Sequence, residues 1–291
     1  MRLRIIVLAL LVSAVGAQAA TPQDAWKAAI ADQNKDYAQT PHAMLKIQDA
    51  AYLGEGESAV LEGVRGKPGS WHWRAGKNPD AALRVSLKRG KLSVSQNGKS
   101  LDPALITKSV DVDADVDVAG QPTQVGAAVS GWRLFVYNQK NPAVMNFTGV
   151  SYYPYDPAFR VTARFSPDAK LTPRVFRTSR GTDKQFYHAG DAAFTLRGKV
   201  IILPFYADDD RPIKDLSAFY TDSLTGRGAY GAGRYVDADA FGKFPPAKIT
   251  IDFNQAYNPN CARSAYFTCP IAMDVLPLAM TAGERDPHLA H

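Results

Sequence analysis

Two periodicities divide the chain. Between Thr21 and Tyr37 the apolar residues Trp26, Ala29, Ile30 and Tyr37 recur at helical spacing. The start of this segment is marked as well: Thr21 can cap, Pro22 occupies the first helical position, and Asp24 falls three residues after the cap. A short N-terminal helix with one apolar face is predicted there. After Pro41 the period drops to two. Trp71 and Trp73 flank His72, Leu83, Val85 and Leu87 alternate with polar residues, and Leu92 and Val94 resume the alternation after Arg89-Gly90, a hairpin signal. Further strands are predicted over 110–118, 132–137, 159–165, 194–196, 200–205 and 248–253. With 22 Gly and 19 Pro as punctuation and no second long helical period, the expected fold is mainly β: an antiparallel β-sandwich or partly closed barrel with a short N-terminal helix.

The first residues follow a different rule. Arg2 and Arg4, the apolar run Ile5 to Val15 and the small-x-small triplet Ala17-Gln18-Ala19 together predict a signal peptide over residues 1–19, removed near Ala19. The apolar run is shorter than the roughly 20 residues a membrane span requires. The mature chain is therefore expected in the periplasm or outside the cell, with no transmembrane segment. Gly120-Gln121-Pro122 reads as a turn and divides the remainder into a helix-plus-β subregion, 20–120, and a C-terminal β subregion, 121–291.

Composition narrows the class further. At 46% hydrophobic and 21% charged residues, a chain of 291 residues can bury a core without a disulfide framework. The formal charge of +6 falls by two, to +4, without Arg2 and Arg4, which is too mild to indicate nucleic acid. Two cysteines, Cys261 and Cys269, stand eight positions apart, and in an oxidising compartment they predict a disulfide closing a short loop. They make a poor zinc site without histidines nearby.

Familiar chemical motifs are weak. Asp111, Asp113, Asp115 and Asp117 resemble the opening of a calcium loop, but Val116 and Pro122 stand where that loop needs Gly and a bidentate Glu. A solvated strand face is the plainer expectation, its carboxylates about 7 Å apart. His42, His72, His188, His288 and His291 are scattered, zinc-hydrolase and serine-hydrolase patterns are missing, and neither a metal nor a cofactor fingerprint is present.

Two stretches are richer. Between Phe219 and Asp237, Gly226, Gly228, Gly231 and Gly233 allow close backbone approach, while Arg234 offers a planar fork suited to a carboxylate or phosphate. The plainer reading has Arg234 paired with Asp222 across a hairpin whose glycines make room for Tyr230. From Asp252 onward, Asp252, Asn254, Tyr257 and Asn258 crowd next to the cysteine loop, either as a rigid site or as a corner satisfying backbone amides.

At these residues a resemblance emerges. The run Asp-Phe-Asn-x-Ala-Tyr-Asn-Pro-x-Cys-Ala from Asp252, the later Cys269-Pro270, the closing Ala282-Gly283-Glu284 and the upstream Asp222-x-x-Thr225-Gly226-x-x-x-Tyr230-Gly231-x-Gly233-Arg234-Tyr235 resemble the bacterial family catalogued as domain of unknown function 1684. Trp132-Arg133, Phe147-x-Gly149, Tyr153-Pro154 and Phe159-Arg160-Val161-x-Ala163 resemble its earlier strands, extending the likeness over 131–284. The chain departs from the pattern at Ile271-Ala272, Asp274 and Ala229. The resemblance implies no reaction.

Three functional expectations follow. In the first, Asp222, Tyr230, Arg234, Asp252, Asn254, Tyr257, Asn258 and Glu284 line a polar pocket of a periplasmic binding or envelope-associated module, and Arg234 grips a small acidic ligand. In the second, a hydrolase-like enzyme uses Asp252 or Glu284 as general acid or base, one carboxyl being raised by burial. In the third, the same side chains form a buried polar network with a purely structural role.

Overall fold

The computed structural model describes residues 21–208, 213, 215–239 and 246–288. The expected signal peptide lies outside them. Helix α1 (Pro22–Ala38) begins as the sequence dictates: the Thr21 side chain accepts from Asp24 N, and the Asp24 carboxylate accepts from Thr21 N at 3.1 Å, forming a reciprocal capping box. Its apolar face is only partly covered. Tyr37 is buried, Trp26 and Ile30 are half-buried, and Ala29 is exposed.

The strands β1 (Ile47–Leu53), β2 (Ser58–Glu62), β3 (His72–Ala75), β4 (Leu83–Lys88), β5 (Lys91–Gln96), β6 (Lys99–Leu101), β7 (Val110–Asp113), β8 (Val116–Gly126) and β9 (Val129–Asn138) form two antiparallel sheets, ordered β1-β9-β8-β7 and β3-β2-β4-β5-β6. Leu61, Leu83, Val85, Ile106, Val118 and Leu134 fill the space between them, which makes this part a sandwich. Arg89 and Gly90 join β4 to β5 with φ of +52° and +70°, the left-handed pair that a two-residue hairpin of matching twist requires.

Two local expectations change. The segment 110–118 is a hairpin, with Ala114 and Asp115 at its turn, so its carboxylates do not share one strand face. Instead Asp113 accepts from Gly66 N at 2.7 Å, Asp115 pairs with Lys140 at 2.5 Å, and Asp117 meets His42 at 2.6 Å. Gly120-Gln121-Pro122 lies inside β8 rather than at a turn. Gly120 is there for packing, because a Cβ would stand 2.7 Å from Leu134 Cδ2. Pro122 is tolerated because β7 pairs only with the first residues of β8 and leaves the edge beyond free.

After a short helix α2 (Pro142–Met145), the strands β10 (Arg160–Arg177), β11 (Asp183–Leu196), β12 (Lys199–Ala207), β13 (Leu216–Thr221), β14 (Arg234–Asp239), β15 (Lys248–Asp252) and β16 (Asp274–Val275) form one sheet, ordered β12-β11-β10-β15-β14-β13-β16. All pairs are antiparallel except β13 with β16. A further pairing of Tyr206 with Ser217 joins β12 to β13 and curls the sheet into a partly closed barrel around Phe159, Phe205, Tyr220, Ile251 and Phe253. The long β10–β11 pair bends at Gly190, whose φ is +150° and where a Cβ would lie 2.5 Å from Ser166 O. Only glycine permits that approach.

Helix α1 is tied to the barrel by polar side chains. Asn34 Oδ1 accepts from Val150 N at 2.8 Å, and Gln33 Oε1 accepts from the Tyr152 hydroxyl at 2.8 Å. Tyr37 anchors its C-terminal end among Met44, Leu45, Ile47 and Phe267.

Candidate functional site

The residues singled out in the sequence separate into two groups. Arg234 opens β14 with its side chain turned inward and is 1% exposed. Its Nη2 donates to Asp222 Oδ2 at 2.5 Å and to Met280 O at 2.9 Å, while Nη1 donates to Ala282 O and, at 3.5 Å, to Glu284 O. Asp222 in turn accepts from Leu224 N at 2.6 Å. The fork that was expected to grip a ligand is thus occupied by a buried carboxylate and three backbone carbonyls. The glycines before it serve the same packing. A Cβ on Gly233 would come within 2.5 Å of Ala272 Cβ and 2.7 Å of Tyr220 O.

Glu284 is also sealed, with no exposed surface. Its Oε1 takes Arg263 Nη2 at 2.7 Å, and its Oε2 accepts from Asn258 N at 2.8 Å and Gln33 Nε2 at 3.4 Å. Burial pushes this carboxyl above its ordinary range, although Arg263 and the Asn258 amide pull it down. Asn258 Nδ2 donates to Arg285 O at 2.8 Å. Asn254 clasps the turn before β10, accepting from Asp156 N and donating to Asp156 O, each at 2.9 Å. Asp222, Arg234, Asn254, Asn258 and Glu284 are therefore buried polar ties. Tyr230 is half-buried, its hydroxyl 3.9 Å from Cys261 Sγ.

Asp252 and Tyr257 belong elsewhere. Both line a cavity of about 430 Å³ between α1 and the barrel strands β14 and β15. The helix supplies Trp26, Ala29, Ile30, Asp32, Gln33, Asp36 and Tyr37; the barrel side supplies Tyr152, Asp237, Thr250, Asp252, Gln255 and Tyr257. Asp252 ends β15, where Oδ1 caps the following turn by accepting from Asn254 N at 3.1 Å. Its Oδ2 is buried without a hydrogen-bond partner, Arg160 Nε standing 3.6 Å away. Trp26 Nε1 is likewise buried and unpartnered. Tyr257 donates to Asp237 Oδ1 at 3.3 Å. Burial holds the Tyr37, Tyr152 and Tyr257 hydroxyls above their usual range, so all three stay protonated in the ordinary pH range. Sequence reasoning missed the helix side of this cavity. The signal was the spacing of Trp26, Ile30, Gln33 and Tyr37, which marks one helix face but not whether that face meets a packed core or a void.

The expected disulfide is corrected: Cys261 and Cys269 are free thiols. They lie side by side, with Cys269 Sγ accepting from Cys261 N at 3.3 Å, but the sulfurs are not at bonding distance. Backbone bonds hold the loop without a cross-link, Ser179 N donating to Cys269 O at 2.9 Å and Ala262 N to Pro259 O at 2.8 Å. The thiol of Cys261 is drawn down to about 6, chiefly by the hydrogen bond from Cys269, whose own thiol is pushed up.

His188 is held between Asp168 at 2.8 Å and Asp191 at 3.3 Å. No helix among the described residues is long and apolar enough to cross a membrane.

Comparisons with known proteins find matches to part of the chain. The solution NMR structure of an uncharacterized protein from gene locus rrnAC0354 of Haloarcula marismortui is 33% identical, over 48% of this chain and 78% of that one, with a TM-score of 0.41. No curated protein matches the chain. The family model described as a protein of unknown function, DUF1684, matches residues 145–285, a span holding the Arg234 network, Glu284 and the barrel side of the cavity, and the chain belongs to that family.

Proposed function

We propose that this protein is a small-molecule binding module whose site is the cavity beneath α1, acting after export to the periplasm or beyond. The observation that carries this reading is the unfinished packing of that helix. Trp26 and Ile30 face a space of about 430 Å³ instead of a core, and two residues of its wall, Trp26 and Asp252, hold buried polar atoms without hydrogen-bond partners, Arg160 Nε reaching the Asp252 oxygen only at 3.6 Å. Native interiors rarely leave such atoms unsatisfied, each costing about 1–3 kcal/mol. The volume falls within the range of about 300–1,000 Å³ that small-molecule sites occupy.

The acidic ligand expected from Arg234 has lost its anchor, since that side chain is committed to Asp222 and the cavity wall holds carboxylates and no basic side chain. The hydrolase-like alternative has less support. Glu284 meets one requirement, a carboxyl raised by burial, but it is enclosed by Arg263, Asn258 and Gln33 and is not part of the cavity wall.

Thermal unfolding across a panel of amines, polyols, sugars and carboxylic acids tests the binding reading. A ligand at 100 times its Kd adds about 2.7 kcal/mol of stability, enough to raise Tm by roughly 5–10 °C at about 2–4 °C per kcal/mol for a chain of this size. The shift is expected to vanish in Trp26→Ala. A panel without any such shift would remove the reading. Export is checked by N-terminal sequencing of protein from the extracellular and periplasmic fractions, with Ala20 expected first.

A further inference from the structure

Building on the cavity reading, we infer that the molecule bound beneath α1 is a small organic ammonium ion. The wall of the cavity carries four carboxylates, Asp32, Asp36, Asp237 and Asp252, and no Lys, Arg or His. Such a concentration of one sign in a partly enclosed space focuses the field and draws in a counter-ion. One of these carboxylates, Asp252, is 8% exposed; its Oδ1 is held by Asn254, while its Oδ2 accepts no hydrogen bond and has Arg160 Nε only at 3.6 Å.

The carboxylates are dispersed around the space. Among the described residues no group of three or more His, Cys, Asp or Glu side chains is arranged to hold a metal ion. A compact inorganic cation would therefore find no chelating set, whereas a cation with an organic body can meet several walls at once. Those walls are aromatic. Trp26, Tyr37, Tyr152 and Tyr257 line the same space, and Trp26 packs edge-on against Tyr152 at 6.4 Å between ring centres. Aromatic faces attract a poorly hydrated ammonium group through the ring quadrupole, tryptophan most strongly. Burial keeps the three tyrosines neutral phenols, so they add donors and faces without adding charge.

The test is isothermal titration of the full chain with choline and with its neutral isostere 3,3-dimethylbutan-1-ol, followed by putrescine and succinate. Choline or putrescine is expected to bind at least ten-fold more tightly than the neutral isostere, with an affinity that weakens between 50 and 500 mM NaCl. Asp252→Asn should weaken binding ten-fold or more. Since that variant also touches the turn after β15, the double change Asp32→Asn and Asp36→Asn on the exposed side of α1 serves as the second variant. It is expected to weaken binding while leaving Tm unchanged. Equal binding of the neutral isostere, or tighter binding of succinate, would overturn the cation assignment and leave the cavity as a binding site. Silence from every probe at millimolar concentration would overturn both.

Discussion

The Arg234 network and the cavity beneath α1 use the same kinds of residue toward opposite ends. In the network, each charged side chain has an opposite partner inside the fold, Arg234 with Asp222 and Arg263 with Glu284, and backbone carbonyls or amides meet most of the remaining positions, although Arg234 Nε and Asn258 Oδ1 are buried without a partner. At the cavity, Trp26 Nε1 and Asp252 Oδ2 lack hydrogen-bond partners, Arg160 standing 3.6 Å from the latter, and carboxylates of α1 and of the barrel line the same space. The first arrangement stabilises a loop cluster that regular strands do not hold. The second is the arrangement on which the binding proposal rests. Density of polar side chains in a motif therefore does not distinguish structure from binding; the two regions differ in that the network pairs its charges inside the fold, whereas the cavity wall gathers charges of one sign around a void.

This contrast can be broken by mutation. The largest effect is expected from Arg234→Ala, which strands Asp222 in the interior and should cost about 3–5 kcal/mol, read from urea unfolding. A cost below about 1 kcal/mol would place Arg234 outside the structural group.

Glu284→Gln should cost less, about 1–3 kcal/mol, because Arg263 keeps an acceptor but loses the charge. The pH dependence of this residue has a definite sign. Its folded carboxyl lies above the ordinary 4.5, so the folded state binds the proton more tightly than the unfolded chain does. Its contribution to stability is fully present below about 4.5 and is lost as pH rises through the higher folded value. Unfolding curves between pH 4 and 8 should show this slope in the natural chain and a flatter one in Glu284→Gln.

Thr21→Ala removes the cap of α1 and should lower stability by about 1 kcal/mol. Because α1 is one wall of the cavity, the same change should weaken choline binding more than it lowers Tm. A variant that loses stability but binds normally would detach the helix from the site. The smallest stability effect, within about 0.5 kcal/mol, is expected of the exposed Asp36→Asn. A last check concerns the thiols. Cys261 should react with iodoacetamide at a lower pH than an ordinary thiol, and the midpoint should rise in Cys269→Ala as the hydrogen bond is lost.

Much of the local architecture was readable along the chain. Thr21, Pro22 and Asp24 mark the helix start, and the alternation around Leu83 and Val94 marks strands joined at Arg89-Gly90. The motif residues identified the family-bearing half and the pairing of Arg234 with Asp222 as one of two readings. Other assignments failed for specific reasons. Alternating Asp and Val over 110–118 looked like a single strand because a two-residue turn leaves the period intact. Gly120-Gln121-Pro122 looked like a turn because composition does not tell a packing glycine from a bending one. Cysteine spacing permitted a disulfide without requiring the two sulfurs to meet at bonding distance.

What the sequence determined by itself was whatever depends on neighbours within a turn or a pleat: caps, periods, and the mainly antiparallel β class. The tertiary structure alone decided which polar side chains are saturated and which border a void. Both outcomes rest on encounters between distant segments, such as Gln33 reaching Glu284 across 251 positions and Trp26 facing the wall that holds Asp252. Burial and partnership are properties of the space between such segments, and no local pattern encodes that space.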